Sequence, residues 1–347
     1  MSDTGHELTD IRLARLERRI RALYRQAAKE MRDEVARYFD HFKVRDAEQL
    51  RLLKEGEITV NQYRLWRLAQ IGRGERLEAM ARQLAMRCTL ANEQAAEYIN
   101  DAAYEVYALN RNYTSYEIER EIGGVVFDAE RMRTRIGVDF VLFDAPTVRR
   151  LLVSQPDLMP YYPKARAVNR GIDLEYGMRQ IRAAITSAIV QGKSLKKIVD
   201  DLQQRIPTME RNSAIRAART AMTNAQNAGR QDGYGAAAKL GVNVRKRWIA
   251  TKDRRTRHAH GMADGQTVAH DAPFEVDGYP MMFPGDREHG APGRLIYNCR
   301  CTMRTVEAEG IEAERRKMRV RDENGRNVVV DEMTYQEWEK WVKSRGG

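Results

Sequence analysis

Residues 248–302 decide the fold of this chain, and they read WIATKDRRTRHAHGMADGQTVAHDAPFEVDGYPMMFPGDREHGAPGRLIYNCRCT. This motif segment holds two of the three cysteines and four of the six histidines of the chain. The dipeptide Asp264-Gly265 and the triplets Pro284-Gly285-Asp286 and Ala291-Pro292-Gly293 are typical of turns, because these residues tolerate the backbone angles of a tight reversal. The composition therefore predicts a compact, turn-rich unit held by specific side-chain bonds more than by a large core.

Cysteine and histidine spacing within the motif segment raises the question of a metal. Cys299 and Cys301 are separated by one residue, as are His258 and His260. Residues two apart in an extended strand point to the same side, so each pair can face a common centre. Thiolate and imidazole are the usual ligands of zinc, and His260, Cys299 and Cys301 are therefore candidate zinc ligands.

A simpler interpretation of the same residues is favoured over zinc. Structural zinc modules usually space their cysteines C-x-x-C, and C-x-C is less specific. We therefore expect no cofactor and two buried thiols, with Asn298 and Arg300 bonding neighbouring turns. A disulfide between cysteines so close in sequence would be strained.

An ordered pattern of residues in the motif segment resembles a known family. Its members, listed in chain order, are Trp248, Asp253, Arg257, His260, Asp264-Gly265, Phe274, Pro284-Gly285-Asp286 and Asn298-Cys299-Arg300-Cys301. This pattern resembles the phage head morphogenesis proteins, the Mu F-like minor head proteins. The resemblance extends from about Asn169 to Thr305, and His258 falls outside the pattern.

Composition limits the classes of partner. The chain has 347 residues, of which 31% are charged and 7% aromatic, and its net charge is +11. A basic balance favours a polyanionic partner such as nucleic acid, although mixed charges on solvated helices would give the same numbers. No secretion signal and no apolar run of bilayer length is visible. We therefore expect synthesis in the host cytoplasm and no membrane insertion.

The order of patterns along the chain predicts a mainly α fold with a small α+β C-terminal domain. Apolar residues step by threes and fours from Leu13 to Phe42 and again from Leu77 to Leu109, which predicts two long amphipathic N-terminal helices. The polar and aromatic stretch Asn110–Tyr116 is expected to end the second. The predicted regions are a helical N-terminal region at 1–122, an extended, proline-containing linker at 123–168, a Mu F-like head morphogenesis domain at 169–306, and a C-terminal hairpin with a terminal helix at 307–347.

Three shorter helices are predicted ahead of the motif segment. The first ends at Gly192, the second starts at Ser194 and stops before Pro207, and the third runs from Thr208 to Asn227. A strand is expected over Val242–Ile249 and a hairpin over Val320–Val330. The terminal helix carries Trp338 and Trp341 on one face, and we interpret this face as a partner-docking surface.

The resemblance implies a minor capsid protein of the virion. Such a protein would associate with the portal near the portal vertex and act in head assembly and in DNA packaging or delivery. The implied partners are the portal protein, the major capsid or scaffold protein and, as a further candidate, packaged DNA. No zinc-protease helix motif, nucleophile elbow or phosphate loop is present in the sequence, and we expect no enzymatic activity.

Two alternatives remain open from the residues alone. In a metal-dependent phosphodiesterase or nuclease, zinc would be held by Asp253, His260, Cys299 and Cys301, with Asp264 as the base and Arg257 as a clamp on the phosphodiester. In a zinc-stabilised DNA-binding module, DNA affinity would fall steeply with salt.

Overall fold

The fold is mainly helical with a few short antiparallel strands, as the sequence predicts. The computed structural model describes residues 3–122, 142–154, 174–239, 242–306, 317–321, 327–331 and 340. Among these residues, no helix combines the length and the apolar character that crossing a bilayer requires. The predicted docking residues Trp338 and Trp341 lie outside the described part of the chain.

Helices dominate the chain before the motif segment. In chain order they are α1 (Thr4–Asp40), α2 (Lys43–Glu55), α3 (Val60–Gln70), α4 (Glu75–Ile122), α5 (Ala145–Ser154), α6 (Leu174–Val190) and α7 (Leu195–Lys239). The two long amphipathic helices are confirmed as α1 and α4. Between them, Gly56 ends α2 in a left-handed conformation, and Thr59 starts α3 with a capping box completed by Gln62.

The chain folds as two compact units. One comprises residues 1–15, 100–162 and 218–347, and the other comprises 16–99 and 163–217. The boundaries fall within α1, α4 and α7, so each of these helices contributes to both units. The division into four regions that follow one another along the chain stays a prediction.

The second unit contains a helical core of apolar side chains. Its members include Met31, Val35, Phe39, Leu77, Met80, Leu84, Ile181, Ile185, Ile189 and Ile198. These residues come from the apolar stripes of α1, α4, α6 and α7, where spacings of three and four place them on one face. The helical core is therefore the direct outcome of the periodicity in the sequence.

Three predicted helix ends are wrong, at Asn110–Tyr116, at Pro207 and at Asn227, and the last is wrong because α7 continues to Lys239. The stretch Asn110–Tyr116 does not end α4, which continues to Ile122. Asn110 and Arg111 there are buried and paired: Asn110 Nδ2 donates to Thr9 Oγ1 over 2.9 Å, and Arg111 Nε lies 3.0 Å from Asp232 Oδ2. Polar residues continue a helix when they find partners in the interior, which no local pattern reports.

The second wrong helix end lies at Pro207. The structure shows one continuous helix, α7, where two helices were predicted. Proline removes one backbone hydrogen bond and crowds the preceding turn, yet the helix continues for a further 32 residues beyond it, to Lys239. Burial of Ala218, Ala221, Ala225 and Arg230 fixes this downstream part. The predicted start of the helix after Ser194 is confirmed, since Ser194 Oγ accepts a bond from Lys197 N.

Short strands build the C-terminal region. They are β1 (Arg245–Ile249), β2 (Thr267–Ala269), β3 (Phe274–Val276), β4 (Tyr279–Met281), β5 (Thr302–Val306), β6 (Lys317–Arg321) and β7 (Asn327–Asp331). The pairs β3–β4 and β6–β7 are antiparallel, and the second confirms the predicted hairpin. A three-stranded sheet has the order β2-β1-β5, with Trp248 opposite Met303. This sheet joins the start and the end of the motif segment.

Candidate functional site

Strand β1 contributes buried side chains to the interior of the motif segment. Its side chains alternate between partly buried and fully buried positions, and Lys246 and Trp248 point inward. The Trp248 ring is fully buried and meets the rings of His260 and Phe274 edge-on, with centroid distances of 5.7 and 5.4 Å. Trp248 therefore provides the apolar contact around which this polar segment packs.

The turn at Asp264-Gly265 is confirmed. Gly265 has φ of +82°, a conformation that a residue with a Cβ adopts only with strain. Its N–H donates to Trp248 O over 2.9 Å, and Trp248 N donates to Gln266 O over 2.9 Å. Asp264 Oδ1 accepts from Ala250 N over 2.9 Å, so the Asp264 carboxylate closes the turn against the end of β1.

Asp253 and Arg300 link the two ends of the motif segment. Arg300 donates through both terminal nitrogens, Nη1 to Asp253 Oδ2 at 2.5 Å and Nη2 to Asp253 Oδ1 at 2.7 Å. The hydrogen bonds from Arg300 hold the pKa of Asp253 well below its usual range. This carboxylate is therefore engaged by a guanidinium, and it lies outside the group of side chains able to share a metal ion.

The side chain of Arg257 and the backbone of Asn298 each form a hydrogen bond next to the two cysteines. The Arg257 guanidinium donates to the carbonyl oxygen of Tyr297. Asn298 adopts a left-handed conformation with φ of +55°, which asparagine tolerates better than most residues. Its backbone N–H donates to Thr220 Oγ1 over 3.1 Å. Both residues thus shape the turn that precedes the two cysteines.

The structure brings His260, Cys299 and Cys301 together. His260 lies on the short helix α8 (His258–Ala263), Cys299 follows the helical turn α9 (Gly293–Ile296), and Cys301 directly precedes β5. His260 Nδ1 is 3.3 Å from Cys301 Sγ and 3.6 Å from Cys299 Sγ. All three side chains are buried, and their candidate ligand atoms lie within 4.8 Å of one another. We name this group the Cys-His cluster.

The two thiols of the Cys-His cluster differ in acidity. The bond from Cys299 lowers the pKa of the Cys301 thiol, and His260 lowers it further. The same bond, together with burial, raises the pKa of Cys299 well above its usual range. The two buried thiols are therefore inequivalent, and Cys301 is the more acidic of the pair.

The prediction that His258 and His260 face a common centre is wrong. Residues 258–263 form a helix, so residues two apart point in different directions instead of to one side. His258 is exposed, whereas His260 is 1% exposed. Only His260 of this pair reaches the cysteines.

Sequence reasoning missed the face of α7 that holds the motif segment. We call it the anchor face; its members are Thr220, Thr223, Asn224, Gln226, Asn227 and Arg230. Asn227 Nδ2 donates to the carbonyl oxygens of Pro284 and Cys301, over 3.0 and 3.1 Å. Thr223 Oγ1 donates to Cys299 O over 2.6 Å. Helical spacing of polar residues among many alanines was the available signal, because alanine lets a helix approach a neighbouring backbone closely.

Arg230 is the charged member of the anchor face. Its guanidinium is fully buried and donates to both carboxylate oxygens of Asp3, over 2.8 and 2.7 Å. It also donates to Met303 O over 2.5 Å and to Asn110 Oδ1 over 3.1 Å. One side chain therefore connects the N-terminus, α4, α7 and β5 within the same compact unit.

Comparisons with known proteins find similarities to part of this chain. Residues 179–304 match the family model described as "Phage Mu protein F like protein". The minor head protein GP7 of Bacillus phage SPP1 is 33% identical over 164 residues, which are 46% of this chain and 51% of that protein. An NAD(+)–arginine ADP-ribosyltransferase, EFV, of Enterococcus faecalis is 33% identical over 155 residues, which are 44% of this chain and 30% of that protein.

These similarities are partial, and they rest on sequence. The chain spans about half of the SPP1 protein and less than a third of the Enterococcus protein. No solved structure matches the chain.

Proposed function

We propose that this chain is a minor protein of a phage head, because residues 179–304 match the family model described as "Phage Mu protein F like protein". It is made in the host cytoplasm and resides in the capsid near the portal vertex. There it associates with the portal protein and with the major capsid or scaffold protein, and it acts in head assembly and in DNA packaging or delivery. Its similarity to a protein described as a minor head protein supports the assignment.

The engagement of the motif side chains carries this proposal. Asp253 is bound by Arg300, and Arg257 donates to the backbone of Tyr297. Asp264 accepts from Ala250 N and lies 3.2 Å from the ammonium of Lys252. Side chains that bond one turn to another give a rigid surface for a partner. This use of the residues favours an assembly role over catalysis.

A hydrolase remains the runner-up. The two carboxylates that it requires, Asp253 and Asp264, already hold partners within the motif segment. The similarity to an ADP-ribosyltransferase covers less than a third of that protein. We propose that the shared stretch is the Mu F-like domain, attached there to other sequence, and we expect no transfer of ADP-ribose from NAD⁺ to arginine by this chain.

The assembly role is tested by incorporation into particles. The chain is co-expressed with the portal, scaffold and major capsid proteins of the same genome, and particles are separated by sedimentation. We expect the chain to cosediment with particles that contain the portal and to remain unbound when the portal is omitted. A chain that stays unbound in the complete mixture would overturn the proposal.

A matched pair of histidine variants distinguishes a structural role of His260 from a catalytic one. His260→Ala should lower both the melting temperature and the incorporation into particles, since His260 is buried against Trp248. His258→Ala, two residues away on the exposed side of α8, should change neither. If His260→Ala folds and assembles normally but abolishes a phosphodiesterase activity of the wild type, the catalytic hypothesis replaces this one.

Packaged DNA is a proposed partner on the basis of charge. The net charge of +11 supports contact with a polyanion. Binding of a labelled DNA duplex should weaken steeply between low and physiological salt, as measured by fluorescence anisotropy. Binding that does not respond to salt would count against this contact. The docking role of Trp338 and Trp341 remains a prediction.

A further inference from the structure

The Cys-His cluster is more than two buried thiols beside a histidine, and we propose that it binds one zinc ion through His260 Nδ1, Cys299 Sγ and Cys301 Sγ. The proposal is independent of the proposed function. It starts from geometry, because three soft donor atoms converge within 4.8 Å of one another. Each donor is at least 97% buried, so all three are shielded from competing solvent.

The distances within the cluster match those between ligands of one ion. Zinc sits about 2.0–2.1 Å from nitrogen and about 2.3 Å from sulfur, so a tetrahedral site separates its nitrogen and sulfur ligands by about 3.6 Å. The observed separations from His260 Nδ1 are 3.3 Å to Cys301 Sγ and 3.6 Å to Cys299 Sγ. Both nitrogen–sulfur separations therefore fit ligands of one shared ion.

Hydrogen bonding alone does not account for the imidazole. A buried histidine normally pairs both ring nitrogens. His260 Nδ1 has only the two sulfur atoms as partners in the hydrogen bonds of the described residues, and Nε2 has no partner there. Coordination through Nδ1 gives that nitrogen a strong partner, while the ring proton lies on Nε2, which has no partner among the described residues with or without the ion.

The identity of the ion follows from ligand type and charge. Two thiolates and one imidazole are soft and borderline donors, which select zinc over magnesium, calcium or manganese. Two thiolates neutralise Zn²⁺ and leave a neutral buried site. The backbone N–H of Cys301 also lies 3.4 Å from Cys299 Sγ, where it donates to the sulfur. Such a bond stabilises a metal-bound thiolate.

The site supplies three ligands from the described residues and leaves a fourth position for a small ligand such as water. The ion would join α8 to the segment before β5, two places about 40 residues apart in the chain. Because binding would be coupled to folding of the motif segment, the free energy of binding would add to its stability. The ion would therefore stabilise the motif segment, and the open fourth position is the arrangement that catalytic zinc sites share.

The test is made on the full chain. Purified, reduced protein should contain about one zinc per chain by elemental analysis. Removing it with a strong chelator should lower the melting temperature by at least about 5 °C. Cys88→Ser, which changes the thiol on α4, should retain the metal. Cys299→Ser and Cys301→Ser should each lose most of it.

If the serine variants do not fold, cobalt substitution tests whether the Cys-His cluster binds a metal ion. Wild-type protein freed of metal and titrated with Co²⁺ should develop thiolate-to-cobalt charge-transfer absorption together with the ligand-field bands of tetrahedral cobalt. Zinc should abolish both. Folded, reduced wild-type protein that contains no zinc and shows no charge-transfer band with Co²⁺ would overturn the proposal. That result would leave incorporation into particles unaffected, so the two proposals fail separately.

Discussion

The helical core and the motif segment obtain their stability in opposite ways. In the helical core, residues such as Met31, Leu84 and Ile185 are buried against other apolar side chains, and no single pair is essential. Against the motif segment, the anchor face of α7 contributes buried groups such as Asn227 and Arg230, each of which bonds several named partners. An apolar core tolerates exchange of one hydrophobic residue for another, whereas a polar network leaves unsatisfied groups behind when one member is lost.

The largest expected effect tests the polar side of this comparison. Arg230→Met removes the guanidinium that binds Asp3, Asn110 and Met303 O, and it leaves those groups unpaired in the interior. We expect a loss of about 3–5 kcal/mol in the free energy of unfolding, measured by urea denaturation. Arg294→Met is the control, because its ion pair with Asp277 is exposed. Equal, small effects of both substitutions would show that the buried network around Arg230 does not stabilise the fold.

The next effect tests the apolar side. Ile185 is fully buried in the helical core. Ile185→Ala should cost about 2–5 kcal/mol in the free energy of unfolding, whereas Ile185→Val should cost only about 1 kcal/mol. Ile11→Ala, at a side chain 55% exposed, should have little effect. If the valine variant were as unstable as the alanine variant, the helical core would not tolerate exchange of one hydrophobic residue for another. The contrast with the polar network would then fail.

A smaller effect concerns pH and the buried lysine of β1. Burial lowers the pKa of Lys246 to about 7, an effect that Asp286 and Asp271 partly offset. The lysine pKa in the unfolded chain is about 10.4. The folded state therefore loses this proton first, and the contribution of Lys246 to stability rises as pH increases from about 7 towards 10 and is constant below 7.

This pH dependence is measurable by difference. The stability of the wild type relative to Lys246→Met should increase by on the order of 2 kcal/mol between pH 7 and pH 9.5. Lys252→Met, at a side chain 83% exposed, should show no such trend. A constant difference between wild type and Lys246→Met would contradict the assignment of Lys246 as a lysine that folding deprotonates.

The smallest effect lies at a local polar contact in the helical region. Thr59 caps α3 through Gln62, and this bond is formed within three residues of sequence. Thr59→Ala should lower the free energy of unfolding by about 1 kcal/mol, and Thr59→Ser should restore most of it. A loss as large as that of Arg230→Met would erase the distinction between local and long-range polar bonds.

Sequence reasoning succeeded where the pattern is local. The apolar stripes predicted α1 and α4, Ser194 marked a helix start, and Asp264-Gly265 marked a turn. It failed at Asn110–Tyr116 and at Pro207, where residues that usually end a helix lie within one. At the first place the residues are buried with distant partners, and at the second the helix is fixed by burial further downstream.

The amino-acid sequence by itself determined the helix-rich class, the order of the elements and the family to which residues 179–304 are similar. Only the tertiary structure decided that His260, without His258, meets both cysteines and that Arg230 binds Asp3. The physical reason is the distance along the sequence over which each kind of interaction acts. Helix periodicity and turn preference act between residues a few positions apart, whereas the Cys-His cluster and the anchor face depend on side chains about 40 to more than 200 positions apart in the chain.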